Sequence, residues 1–197
     1  MRLLVFTDLH GNTQALGSVL DKAPFADVII FAGDLNHHAS DIEKLLEDLA
    51  STGKPCLIIH GNWDDPSVLS AICGRHPNLH FLHRGVWELQ GVKFLGHGGG
   101  GFTRVDSDFQ KLWDKFFRKQ LSKGEKCVLI THAPPYGTAI DTLYGEARGN
   151  ETYRRFIEEH QPLVHVCGHF HESFGKVDMV NKTKVINPGP QGMYVEI

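Results

Sequence analysis

Five short runs in which polar residues follow an apolar stretch hold the chemistry of this 197-residue chain. They are Asp8-Leu9-His10-Gly11-Asn12, Gly33-Asp34, Gly61-Asn62-Trp63-Asp64, Thr131-His132-Ala133-Pro134-Pro135 and Gly168-His169-Phe170-His171. Together they offer Asp8, His10, Asp34, Asn62, His132, His169 and His171, which are oxygen and nitrogen donors of the kind that borderline divalent ions accept, with no thiolate among them. One ion does not need seven donors, whereas two ions sharing a carboxylate do. Paired ions about 3.5–4 Å apart stabilise both the attacking and the leaving oxygen of a phosphoryl displacement. Each run alone is commonplace. All five, in order and each at the end of a strand-like run, mark a site.

The elements that must position these residues can be read from periodicity. Arg2–Phe6, Asp27–Phe31 and Cys56–Ile59 are strand-like, and between them Asn12–Ala23 and a segment ending near Ala50 carry helical spacing. Ser40-Asp41-Ile42-Glu43 is a capping-box pattern, and Asp65-Pro66 supplies an N-cap and a first-turn proline for a short helix. Alternation of this kind predicts a parallel sheet with right-handed crossovers. In open α/β sheets ligands bind at the carboxyl ends of the strands, where these runs stand. Gly33, Gly61 and Gly168 suit sharp turns leaving a strand. Further strands are predicted at Leu79–Leu82, Val86–Gln90, Val92–Leu95, Lys126–Thr131 and Leu163–Cys167. Helices are predicted from about Asp106 to Leu121 and from Asn150 to His160. Three last strands, Ser173–Val177, Lys184–Ile186 and Met193–Ile197, are expected to form a meander. No repeat or linker divides the chain, so residues 1–197 read as one domain.

Composition narrows the partners. With 20 basic and 23 acidic residues the net charge is −3, which gives no broad footprint for nucleic acid or an anionic membrane. Apolar runs are strand-sized, far short of a bilayer span of roughly 18 residues or more. The N-terminal run meets Asp8 too early for a signal peptide. Cys56, Cys73, Cys127 and Cys167 are dispersed, which fits free thiols in a reducing cytoplasm.

The ordered blocks Asp-x-His, Gly-Asp, Gly-Asn-x-Asp, a lone His and Gly-His-x-His, from Asp8 to His171, resemble those of the calcineurin-like metallophosphoesterases. Thr131-His132-Ala133-Pro134-Pro135 and Asn187-Pro188-Gly189-Pro190 are similar to stretches of the small prokaryotic Icc-related phosphoesterases. The resemblance implies a four-layer α-β-β-α sandwich of two mixed sheets, with the strands from Leu79 and after Gly168 in the second sheet. It implies that Asp8, His10 and His171 hold one metal and Asn62, His132 and His169 another, with Asp34 bridging. Asp34, Asn62 and His132 would act catalytically through the hydroxide those metals hold, and Mn, Fe, Zn, Co or Ni would fit the donors. The expected activity is hydrolysis of a small phosphoester or nucleotide-like substrate. One position departs from the pattern: Trp63 stands where the family has the histidine taken as leaving-group acid. Indole has only its Nε1–H and no titrating proton, and acid help is typically worth about 10²–10⁴-fold. A diester or an activated ester is therefore the expected substrate, ahead of an alkyl monoester.

Other residues compete for substrate contacts. His37 and His38 follow Asp34, and His97 adjoins Gly98–Gly101, whose amides could cradle an anion. Arg148 could clamp phosphate and Trp63 could stack on a ring, against the plainer readings of solvated loop residues and a packed lid. His60 is expected to pack or to support the site. Phe109, Trp113, Phe116 and Phe117 fall at helical spacing and are expected mostly in the core. Two other function classes use the same fold: a non-catalytic interaction module, and a slow nucleotide-binding regulator. Oligomerisation is not legible in the pattern.

Overall fold

The computed structural model describes residues 1–36, 39–122 and 124–197, with Ala39 and Ser40 described by backbone alone. The capping-box serine and the pair His37 and His38 therefore lie outside the described side chains. Strands β1 (Arg2–Phe6), β2 (Val28–Phe31), β3 (Cys56–Ile58) and β4 (Leu79–Phe81) run parallel in one sheet, with α1 (Thr13–Lys22), α2 (Ala39–Ala50) and α3 (Pro66–Cys73) as crossovers. The expected cap at Asp65 forms, accepting from the amides of Ser67 and Val68 with Pro66 in the first turn, and Asn12 also caps α1 by accepting from the amide of Ala15.

The second sheet has the order β11-β12-β10-β7-β6-β5. Its strands are β5 (Gly85–Leu89), β6 (Val92–His97), β7 (Lys126–Thr131), β10 (Val164–Val166), β11 (Val177–Val180) and β12 (Thr183–Ile186). Here β6, β7, β10 and β12 are parallel, and β5 and β11 are antiparallel edges. A small hairpin, β8 (Thr142–Leu143) and β9 (Glu146–Ala147), rises from the long loop after β7. The helices on this side are α4 (Ser107–Leu112), which continues through a π-helical turn at Trp113–Phe117 into α5 (Arg118–Gln120), and α6 (Glu151–His160). No helix of the described residues is long and apolar enough to cross a membrane.

Alternation along the strands builds the four layers. Leu3, Val5, Ile30 and Leu57 face Phe94, Val128, Ile130 and Val166 between the sheets. Their neighbours Leu4, Phe6, Ile29 and Ile58 face Leu16, Val19, Leu46 and Leu69 of the first helical layer. On the far side Leu95, Leu129 and Val185 meet Phe109, Trp113, Phe117 and Phe156. Strands covered on both faces read as unbroken apolar runs, which is why they stood out in the sequence.

Three strand assignments need correction. β4 belongs to the first sheet, parallel to β3, and β13 (Met193–Glu196) crosses to pair antiparallel with β1. The expected strand at Ser173–Val177 is instead a 3-10 turn, His171–Ser173, followed by β11 from Val177. Buried Asn187 causes part of this: its Nδ2 donates to the Phe170 carbonyl and the Ser173 hydroxyl, which folds the segment into a turn.

Candidate metal centre

The carboxyl ends of β1, β2, β7 and β10 bring six side chains into two groups, and the end of β3 adds Asn62. Asp8, His10 and His171 offer ligand atoms all within 4.8 Å of one another, as do Asp34, His132 and His169. Across the first group His10 Nε2 lies 3.2 Å from His171 Nε2, and Asp8 Oδ1 lies 3.4 Å from His171 Nε2. In the second, His132 Nε2 is 3.3 Å from Asp34 Oδ2 and 3.1 Å from Asn62 Oδ1. Asp34 Oδ2 is also 3.8 Å from His10 Nε2, so one oxygen faces both groups.

The backbone that delivers these groups is unusual. Asp8, His10, Asp34 and His169 have φ of 51°, 47°, 62° and 71°. Side chains other than glycine enter this left-handed region at a cost of roughly 1–2 kcal/mol each. Interloop bonds hold them there: the Asp8 amide donates to the Gly33 carbonyl, that of His10 to Asp34, and that of Gly168 to His132. Of the three motif glycines only Gly33 has positive φ, 98°. Gly61 and Gly168 serve close approach instead. A Cβ on Gly61 would sit 1.9 Å from Asp34 Oδ1, and one on Gly168 2.3 Å from Asp8 Oδ2.

Each carboxylate has one oxygen pinned and one aimed at the centre. Asp8 Oδ2 accepts from Thr7 Oγ1 at 2.8 Å and from the His169 amide at 3.0 Å, while buried Oδ1 has no hydrogen-bond partner. Asp34 Oδ1 accepts from the Trp63 amide at 3.0 Å. His132 Nδ1 lies 2.8 Å from the Ala32 carbonyl, which can only accept, so Nδ1 carries a proton; on the protonated ring Nε2–H donates to Asp34, and on the neutral ring the Nε2 lone pair faces two oxygens. Acceptors facing one another in this way suit a cation between them. His169 Nε2, buried with no hydrogen-bond partner, is aimed the same way.

Titration follows this layout. Burial pushes the His169 imidazole down to about 4, helped by repulsion from His132, so it is neutral and ready to coordinate at ordinary pH. For Asp34, burial pushes upward, but the hydrogen bond and charge of His132 and the Trp63 amide outweigh it and hold the carboxyl below its usual range. Burial likewise lowers His132, and its bond to Asp34 more than compensates, leaving it raised. His171 is raised by its interaction with Asp8.

Asp64 does not orient a neighbour at position 63. It is buried, its Oδ2 accepts from the amides of Gly61 and Asp34, and its Oδ1 accepts from that of Leu35. Its work is to tie the loop after β3 to the loop after β2.

The other sequence candidates disperse. Trp63 lines a cavity of about 390 Å³ together with Asp34, Asn62, His169 and His171. Arg148 does not line it: its guanidinium is paired at 2.5 Å with Glu146, two residues away on the β9 segment, and stands in solvent. His97 is buried on the far side of the glycine segment, with Nε2 3.0 Å from Asp106 Oδ2 and its ring against Phe109 and Tyr153. It lines a separate cavity of about 320 Å³. His60 Nδ1 lies 2.9 Å from the Gly61 carbonyl and Nε2 3.2 Å from His83 Nδ1, the supporting place expected. Phe109, Trp113 and Phe117 are buried as expected, and Phe116 is half-buried. The sequence reading missed Phe102 and Tyr144 on the wall of the metal-group cavity. The one available signal was Tyr144-Gly145, a turn pair between two short runs.

Asp106 carries a pH prediction. Burial pushes its carboxyl upward, but bonds from His97, the Phe109 amide and Tyr153 outweigh this and hold it well below the usual carboxylate range. A carboxyl depressed on folding stabilises the fold above its unfolded pKa and loses that contribution as pH falls toward the folded one. Thermal melting of Asp106→Asn between pH 7 and 3 should therefore show a lower midpoint at neutrality and a shallower acid decline than the parent. Parallel curves would refute it.

Comparison with known proteins gives a consistent picture. The family model for calcineurin-like phosphoesterases matches residues 1–173. An uncharacterized protein of Methanocaldococcus jannaschii is 30% identical over 205 residues, covering 99% of this chain and 91% of that protein. A probable cyclic nucleotide phosphodiesterase of a Synechococcus strain is 26% identical over 164 residues, covering 80% of this chain and 62% of its own length. Among solved structures, TT1561 of Thermus thermophilus superposes with a TM-score of 0.77 at 18% identity, covering 96% of this chain and 90% of that one.

Proposed function

Because the chain belongs to the calcineurin-like phosphoesterase family, we propose that it is a metal-dependent phosphodiesterase in which Asp8, His10 and His171 hold one divalent cation and Asn62, His132 and His169 hold a second. Asp34 bridges the pair. The observation that carries this is the single oxygen, Asp34 Oδ2, facing ligand atoms of both groups while its partner oxygen is fixed by the Trp63 amide. When bound, two such cations supply Lewis-acid activation of water and neutralise charge on the phosphoryl oxygens. The protein's own part is to orient the ligands through Thr7, the Ala32 carbonyl and the loop amides, and to fix the distance between the two groups. Oxygen and imidazole donors admit Mn, Fe, Co, Ni or Zn, and manganese is the first to test. The four free, buried cysteines fit a reducing cytoplasm. Residues 1–197 act as one domain, since the layer between the sheets draws on Leu3 and Val195 alike.

Preference for diesters rests on position 63. Trp63 brings no titrating proton there, and Asp64 is fully engaged with backbone amides. The name of the Synechococcus relative points the same way. The test is hydrolysis of bis-p-nitrophenyl phosphate by chelator-stripped protein with and without added Mn²⁺, alongside elemental analysis of the unstripped protein. Metal-dependent turnover with two bound equivalents is expected; no turnover in any of the five metals would refute the reading. Trp63→His should raise kcat for alkyl esters by about 10-fold, below the usual range of about 10²–10⁴-fold for acid assistance because Asp64 cannot orient the new ring, and leave kcat for p-nitrophenyl esters within about twofold. Equal gains on both leaving groups would show that position 63 does not supply the acid.

A further inference from the structure

Three large aromatic side chains stand in solvent at the mouth of the metal-group cavity. Trp63 is 61% exposed, Phe102 65% and Tyr144 94%, and all three line that cavity. Among the described residues only two other aromatics of this kind, Phe25 and Tyr194, are exposed to a comparable degree. The three come from separate segments: the turn after β3, the glycine segment after β6 and the tip of the β8–β9 hairpin. Trp63 is anchored through its amide on Asp34, and Phe102 rests edge-on against the His169 ring, with centroids 4.4 Å apart. Both therefore begin where the ligand groups end.

Tyr144 is the most telling of the three. It occupies the first position of a two-residue turn, with φ of 51° followed by Gly145 at 81°. Such turns favour asparagine, aspartate or glycine there, so the backbone gains nothing from tyrosine. Its ring is not packed into the core either. Among the described residues lining this cavity there is no lysine or arginine, and Glu172 adds an acidic side chain. Beyond the cations, then, the protein offers a substrate ring surfaces rather than positive charge.

We infer that Trp63, Phe102 and Tyr144 form a receptacle for a planar aromatic group carried by the phosphoester, so that the substrate class is an aryl or nucleoside ester and not a sugar or alkyl ester. The inference rests on the phosphodiesterase reading for the place of the phosphoryl group. A cavity of about 390 Å³ suits one small molecule of that kind. Face-to-ring stacking is tolerant of base identity, and so is a rim that offers few fixed hydrogen-bonding groups.

Binding separates this from hydrolysis. Calorimetric titration of Mn²⁺-supplemented protein should show adenosine 5′-monophosphate binding about 5- to 150-fold more tightly than ribose 5-phosphate, the equivalent of about 1–3 kcal/mol for one stacked ring. Phenyl phosphate assigns the source. Affinity equal to that of the nucleotide means any aryl group is accepted, and affinity between the other two means a nucleobase is preferred. Tyr144→Ala, Phe102→Ala and Trp63→Ala should each shrink the nucleotide-to-sugar ratio, and Trp63→Phe should keep most of it. A parent ratio within about twofold, or a ratio unmoved by all three alanine variants, overturns the inference. Ring-dependent binding without hydrolysis of any ester would leave the receptacle standing and refute the phosphodiesterase reading. Hydrolysis without ring preference would do the reverse.

Discussion

Replacing Asp34 with asparagine should lower kcat/KM for bis-p-nitrophenyl phosphate by at least about 10³-fold while leaving the fold intact. The proposed bridge depends on charge. Asp34 Oδ2 lies 3.3 Å from His132 Nε2 and 3.8 Å from His10 Nε2, so it belongs to both halves of the centre. Asparagine keeps the volume and can still accept the Trp63 amide with its one carbonyl oxygen. What then faces the centre is an NH₂ group, a donor with no lone pair for a cation and a poor neighbour for the two imidazoles. Removing one well-placed electrostatic group from an active site typically costs about 10²–10³-fold, and here two metal positions share the loss. Bound metal should fall below two equivalents per chain, and elemental analysis reads this without reference to activity. Full metal content with undiminished turnover would show that Asp34 is not the bridge.

The second large effect concerns stability. Asp64→Ala removes the acceptor for three backbone amides, those of Gly61, Asp34 and Leu35, at distances of 2.7–2.8 Å. The site is buried, so water is poorly placed to replace the carboxylate. An unsatisfied buried amide costs about 1–3 kcal/mol, so three amides losing their acceptor, with partial relaxation of the loops, cost about 3–5 kcal/mol in total. For a chain of this length that corresponds to a fall in melting midpoint of roughly 6–20 °C. Asp64→Asn, with one accepting oxygen instead of two, should fall between. A change of about 2 °C or less in the alanine variant would mean that the amides find other partners and that the two loops do not depend on Asp64.

These two aspartates show how unevenly the site could be read beforehand. Asp34 was legible as a candidate ligand because its run is one of five that follow strand-like stretches in order. Asp64 was visible only as the last residue of the run Gly61-Asn62-Trp63-Asp64. Two of its three partners are amides some thirty residues earlier in the chain. The same contrast holds for His97 and Arg148. Both sit near suggestive neighbours in the sequence, yet His97 turns toward Asp106 and Arg148 toward Glu146. Phe102 and Tyr144 had no periodic signal at all, since each stands in an irregular loop or at a turn tip.

Residue order by itself determined the strand-ends that carry the candidate ligands, which donor types those candidates offer, and the layered α/β class, because apolar alternation and donor type are local properties. Tertiary structure alone decided which carboxylate oxygen looks inward, that β13 leaves its neighbours to pair with β1, and which aromatics ring the opening. Those outcomes depend on contacts such as the His169 amide to Asp8, 161 residues apart, where packing and hydrogen bonding select among conformations that the local sequence leaves equally open.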